Sequence, residues 1–72
     1  MVPDPGSMVR ITVYDLSGRL VRTLVDEELP GGTYMAVWHG RDDTGKRMSS
    51  GVYFYRIEIG NYRVDRKMVR LK

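Results

Sequence analysis

The chain has 72 residues, with 12 basic and 9 acidic side chains and a net charge of +3. This length predicts a single small domain with a marginal core, because small domains bury a smaller fraction of their surface. The absence of cysteine excludes disulfides and thiolate metal sites. No apolar run approaches the roughly 20 residues of a membrane helix. Residues 1–7 lack the apolar core of a signal peptide, so we expect any export signal on a longer parent chain.

The first half of the chain predicts two strands. Residues 1–7 contain two prolines and a glycine, which predicts an irregular lead-in to a domain formed by residues 8–72. Residues 8–15 alternate between apolar and polar side chains, as in a half-buried strand. Ser17-Gly18 is a tight-turn pair. Residues 19–25 are too short for a stable helix and rich in β-branched side chains, which predicts a second strand with a bulge.

The second half of the chain predicts three more strands. Residues 33–38 alternate again, residues 40–50 form a long loop, and residues 52–59 are apolar on both faces, as in a central strand. Residues 62–71 form the last strand, for which the broken alternation predicts a bulge or a late switch of faces. Short strands separated by turn residues indicate an all-β sandwich or small barrel.

Neither the histidine nor the acidic run suggests catalysis. His39 is the only histidine and lacks a positioned partner for acid–base or nucleophilic chemistry. Asp26, Glu27 and Glu28 lie between a strand and a turn, and such adjacent carboxylates do not flank a substrate. We therefore expect a solvated acidic loop and no enzyme.

Two aspartates in the long loop are the candidate metal ligands. Asp42 and Asp43 lie between Gly40 and Gly45, where they suggest calcium. Calcium takes six to eight oxygen ligands, which two adjacent carboxylates do not supply. Capping of backbone N–H groups in a turn explains both residues more simply. We predict no cofactor, with calcium as the open alternative.

Consecutive aromatic residues suggest either a core or a binding platform. Tyr53, Phe54 and Tyr55 precede Arg56, and aromatic rings on a sheet can stack nucleic-acid bases. Neighbouring strand residues point to opposite faces, however, so Tyr53 and Tyr55 share a face on which Trp38 can pack. The positive charge is dispersed along the chain, which disfavours nucleic-acid binding.

The order of several short motifs, from about Pro5 onward, resembles a known bacterial pattern. The motifs are Val13-Tyr14-Asp15 with Gly18-Arg19, Val21-Arg22-Thr23-Leu24, Pro30-x-Gly32, Trp38-x-Gly40-Arg41-Asp42-Asp43-x-Gly45, Ser50-Gly51-Val52-Tyr53-Phe54-Tyr55-Arg56 and Lys67-Met68-Val69-x-Leu71-Lys72. The sequence is similar to the Ig-like C-terminal modules of the type IX (Por) secretion sorting family, and to the related Ig-like domain of the flagellar hook-capping protein. Its fold signature comprises Trp38, Gly40, Asp42, Gly45, Gly51, Tyr53 and Tyr55.

The resemblance implies a small Ig-like or fibronectin III-like antiparallel β-sandwich in a secreted or cell-surface protein. In the sorting version, the outer-membrane secretion machinery reads the terminal domain, and the last residues favour this version. We expect its recognition surface at Lys67, Met68, Val69, Leu71 and Lys72. A purely structural scaffold domain, as in hook capping, is the first alternative. A small glycan- or nucleic-acid-binding module is the second.

The resemblance also implies that the first strand is missing. Members of these families carry an Asn-Pro-Phe-Asn-Pro-like segment and a further strand before the motif at Val13-Tyr14-Asp15. About five strands are predicted here, whereas an Ig-type sandwich has about seven. An open strand edge exposes unpaired N–H and C=O groups. We therefore expect strand pairing across a homodimer, or strand exchange, in addition to contacts with neighbouring domains of a longer protein.

Overall fold

The computed structural model describes residues 1–71, which form an all-β domain. Its strands are β1 (Val2–Asp15), β2 (Leu20–Gly32), β3 (Gly51–Ile59) and β4 (Tyr62–Arg70). They form one antiparallel sheet in the order β2-β1-β3-β4. None of the described residues belongs to a helix that could cross a membrane. The all-β, Ig-like class is confirmed.

The strands β1 and β2 extend further than the sequence predicts. β1 begins at Val2 rather than at residue 8, and β2 continues through the acidic run to Gly32. The two strands pair from Val2 opposite Gly32 to Tyr14 opposite Leu20, with three register shifts that include the expected bulge. β3 pairs with β1 only from Val9 onward, so the prolines of residues 1–7 lie where β1 is an edge. Proline is tolerated at such an edge, because its missing N–H faces away from the pairing strand.

Residues 33–38 do not join the sheet, in contrast to the predicted strand. They run in front of one sheet face, which we call the inner face, with Tyr34, Ala36 and Trp38 lining cavities against it. Within the described chain, no backbone-to-backbone hydrogen bond is recorded for this segment. The second layer is thus the segment 33–50 rather than a paired sheet. β4 also differs, because its register with β3 is regular from Tyr62 to Arg70, without the predicted bulge.

The core lies between the inner face and the segment 33–50. Val13, Val21 and Tyr53 are buried there. The half-buried side chains packed against them come from three strands and from the covering segment: Leu24, Trp38, Met48, Tyr55 and Met68. One sheet face therefore carries the core contacts, and we call the opposite face, which carries Arg10, Arg56 and Glu58, the outer face.

Candidate interaction surfaces

Trp38, Tyr53 and Tyr55 belong to the core rather than to an exposed platform. Trp38 meets Tyr53 edge-on, with their ring centroids 5.0 Å apart. The Trp38 indole N–H donates to the Arg41 carbonyl at 2.8 Å, and the Tyr53 hydroxyl donates to the Ser49 carbonyl at 2.7 Å. Tyr55 packs against the same cluster. A stack of nucleic-acid bases or sugar rings on these residues would require the covering segment to leave the sheet.

Two turns of the chain repeat one sequence and one geometry. Asp15-Leu16-Ser17-Gly18-Arg19 and Asp42-Asp43-Thr44-Gly45-Lys46 share the pattern Asp-x-Ser/Thr-Gly-Arg/Lys. In each turn, the glycine N–H donates to the aspartate carbonyl at 3.0 Å, and both glycines have φ near +90°, a conformation that other residues rarely adopt. This repeat is not among the patterns predicted above, although the spacing of Asp, Ser/Thr and Gly is visible in the sequence.

The aspartate side chains hold these turns closed. Asp42 Oδ1 accepts hydrogen bonds from the Thr44 hydroxyl at 2.6 Å, the Thr44 N–H at 2.9 Å and the Lys46 N–H at 2.9 Å. Asp15 accepts the equivalent bonds from Ser17 and Arg19. The hydrogen bond from Thr44 is the largest cause that lowers the pKa of Asp42. The hydrogen bond from Ser17 is the largest cause that lowers the pKa of Asp15. Both aspartates are therefore ionised, structural acceptors at neutral pH.

The loop that carries Asp43 covers the start of the β2 edge. The Asp43 N–H donates to the Val21 carbonyl at 3.0 Å, and its Oδ1 accepts the Thr23 N–H at 3.1 Å. Arg22 donates to the Asp42 carbonyl at 2.9 Å. Both carboxylates proposed for calcium are thus engaged by the chain. No group of three potential metal-ligating side chains occurs among residues 1–71.

Opposite charges alternate across the outer face of the sheet. Asp26, Arg10, Glu58 and Arg63 lie in one row, one residue from each strand in the order β2-β1-β3-β4. In the next row on that face, the Arg56 guanidinium donates to Asp65 at 2.9 Å and lies 5.2 Å from the Tyr14 ring centroid. The hydrogen bond from Arg56 is the largest cause that lowers the pKa of Asp65. Such opposite pairs stabilise neighbouring strands.

The two edges of the sheet carry opposite charge. On β2, beyond the part that the loop covers, the acidic run is exposed rather than contained in the predicted loop: Asp26, Glu27 and Glu28. β4 has one acidic side chain, Asp65, and four basic ones: Arg63, Arg66, Lys67 and Arg70. In the described part of the chain, the only strand that pairs with β4 is β3. Both edges therefore combine free backbone groups with a strong local charge.

Comparison with known proteins assigns the family. The model of the FlgD Ig-like domain matches residues 1–62, most of the chain. This chain belongs to the FlgD Ig-like domain family. Curated FlgD proteins of Salmonella typhimurium and Salmonella typhi, both described as basal-body rod modification proteins, are each 34% identical to it over 58 residues. The match covers 81% of the chain but only 25% of each relative, so the chain spans about a quarter of their length. No solved structure matches.

The prediction of a type IX secretion sorting domain is wrong, because the matching family is that of the FlgD Ig-like domain. The residues proposed for sorting also do not share one surface. Lys67 and Val69 are exposed on β4, Leu71 follows the strand, and Met68 packs against the core. Lys72 lies outside the described residues. Of the remaining fold-signature residues, Asp42 and Gly45 lie in the repeated turn, Gly40 precedes it and Gly51 begins β3. His39 is exposed.

Proposed function

We propose that this chain is a structural Ig-like module of a protein that acts in flagellar assembly, without a catalytic role of its own. The observation that carries the proposal is the family match over residues 1–62. The relatives are named basal-body rod modification proteins, and this name supports a role in the same process, flagellar assembly. Because the chain spans about a quarter of those relatives, the module would work together with neighbouring domains of a longer protein.

The contacts of the domain suit a structural role. The polar groups of Asp15, Asp42, Asp43 and Tyr53 are engaged by turns and strand ends. The core holds the rings of Trp38, Tyr53 and Tyr55, and the remaining surface includes a charged outer face and two charged edges. A rigid sheet with such edges is suited to contact between protein domains. We further propose an extracytoplasmic location, outside the membrane that bounds the cytoplasm, as part of an exported assembly.

A chimeric protein tests the proposed function. In the FlgD protein of Salmonella typhimurium, the 58 residues that match this chain would be replaced by the corresponding residues of the chain. The chimera would be expressed in a strain that lacks the native protein, with swimming in soft agar as the readout. We expect swimming to be restored above the level of the deletion strain.

The matched control replaces the same segment with a flexible Gly/Ser linker of equal length. We expect this control to accumulate but to leave the cells non-motile. The proposal fails if the chimera accumulates as a folded protein without restoring any swimming. It also fails if the linker restores swimming as well as the chimera does, because a folded module would then be unnecessary.

A further inference from the structure

Like-charged edges oppose a symmetric dimer of this sheet. Pairing of β4 with β4 of another copy would bring Arg66 and Lys67 close to the same basic residues of the partner. Pairing of β2 with β2 would do the same with the acidic run. Like charges on directly opposed residues destabilise a strand pair. Charge therefore disfavours the homodimer in which one edge pairs with itself.

The β2 edge of one copy and the β4 edge of another are complementary in both strand direction and charge. β2 and β4 lie at opposite ends of the order β2-β1-β3-β4, in which every neighbouring pair is antiparallel. β2 and β4 therefore run in opposite directions. When a second copy is placed beside the first in the same orientation, its β2 edge meets β4 in an antiparallel arrangement, with acidic residues facing basic ones.

The number of edge residues that remain free to pair limits the possible registers between β2 of one copy and β4 of another. The loop covers β2 as far as Thr23, and the Pro30 carbonyl accepts the Tyr34 hydroxyl at 2.6 Å, which leaves Val25–Leu29 open. One antiparallel register matches this stretch to the middle of β4 and keeps the inner faces of both copies on the same side. It sets Val64 opposite Leu29, Arg66 opposite Glu27, Lys67 opposite Asp26, Asp65 opposite Glu28, and Met68 opposite Val25.

Four of these five pairs are complementary. Two are apolar, and their members lie on the inner faces. Two join opposite charges on exposed side chains. In the single like-charged pair, Asp65 already accepts a hydrogen bond from Arg56 and lies 3.4 Å from the Arg63 guanidinium, so its charge is compensated within its own strand pair.

We propose that a second copy of this chain docks head-to-tail, with the Val25–Leu29 part of its β2 edge paired to β4. The occupant of each open edge is thus the opposite edge of another copy. A contact between two different surfaces leaves one edge free on each terminal copy, so repetition produces a ring or an open filament rather than a closed dimer. This inference is independent of the flagellar role proposed above.

Sedimentation velocity of the 72-residue chain tests the proposal directly. We expect the sedimentation coefficient to rise with protein concentration at low salt. The rise should shrink at high salt, because salt screens exposed charges. A coefficient that stays at the monomer value at every concentration in low salt overturns the proposal. Association that is equally strong at high salt overturns the charged contact.

Two reciprocal variants test the identity of the edges. R66E/K67E makes β4 acidic, and D26K/E27K makes the β2 edge basic. Each variant alone should remain monomeric, while a mixture of the two should associate, since each edge then meets an edge of opposite charge. R19E/K46E changes the net charge as much as R66E/K67E does but lies in the repeated turns, so it should associate like the wild type.

Circular dichroism establishes that each variant is folded before it is compared. The proposal is overturned if folded R66E/K67E associates like the wild type, or if the mixture of folded reciprocal variants stays monomeric. Loss of association in R19E/K46E to the same extent would also overturn it, because net charge rather than the strand edges would then control assembly.

Discussion

At the scale of single residues, the two turn aspartates show how one carboxylate fixes local structure. Asp15 and Asp42 each accept bonds from two backbone N–H groups and from a hydroxyl. Capping by an aspartate was predicted for Asp42, because aspartate commonly binds backbone groups two residues on. The partners themselves could not be predicted. In particular, the bond from Thr23 to Asp43 joins residues 20 positions apart and depends on how the loop meets β2.

The hydrogen bonds to Asp15 and Asp42 predict that the folded chain loses stability in acid. Hydrogen bonds to the charged form lower both pKa values, so their contribution is present above the pKa of the unfolded chain, about 3.9. It is lost as the pH falls through the lower pKa of the folded state. D42A should therefore lower the melting temperature at neutral pH, and the difference from the wild type should shrink below about pH 4.

Thermal melts followed by circular dichroism at several pH values measure this effect. D42N is the matched variant, because its amide oxygen can still accept the backbone bonds, and its melting temperature should lie between those of D42A and the wild type. A difference between the wild type and D42A that stays constant into acid would contradict the assigned role of the carboxylate.

At the scale of elements, local alternation identified the strands but did not determine their partners. The alternation over residues 8–15 predicts that its apolar side chains share a face, and Val9, Ile11 and Val13 do lie opposite the inner-face residues of β3. The sequence does not predict the extension of β2 through Pro30, because a proline at a sheet edge and a proline in a turn have the same sequence pattern. Only the position of the pairing strand distinguishes them. Residues 33–38, in contrast, have the pattern of a strand but do not pair with one. Their alternating pattern reflects contact with the inner face, but a strand also requires a hydrogen-bonded neighbour.

The covering segment depends on Trp38 for its attachment to the sheet. The indole packs edge-on against Tyr53 and donates to the Arg41 carbonyl. W38A should reduce the free energy of unfolding by about 3 kcal/mol, in the range for large-to-small aromatic substitutions. W38F keeps an aromatic ring but loses the N–H donor, so it should cost less than W38A.

Urea unfolding followed by far-ultraviolet circular dichroism measures both Trp38 variants, since neither retains the tryptophan needed for fluorescence. Similar losses in W38A and W38F would contradict the packing role and would attribute the effect to the hydrogen bond. A W38A variant as stable as the wild type would mean that the segment is held by its other contacts.

At the scale of the whole molecule, the family resemblance predicted the fold class better than the role. The motifs around Trp38 and Tyr53 recur in related Ig-like modules because they build the core. They therefore do not distinguish a sorting domain from a flagellar one. The pattern of the terminal residues predicts sorting, but the family match covers residues 1–62 and assigns the FlgD Ig-like domain. The edges, where the charge differs from strand to strand, are where we expect the specific contacts of this chain.

Strand pairing builds one four-stranded sheet, and residues 33–38 pack on it without a backbone partner among residues 1–71. Amide hydrogen exchange under conditions in which the chain is monomeric measures this directly. We predict the strongest protection in β1 from Val9 to Asp15 and in the facing part of β3, and rapid exchange throughout residues 33–38. Protection of residues 33–38 equal to that of the central strands would contradict this arrangement, because it would require a backbone partner for that segment.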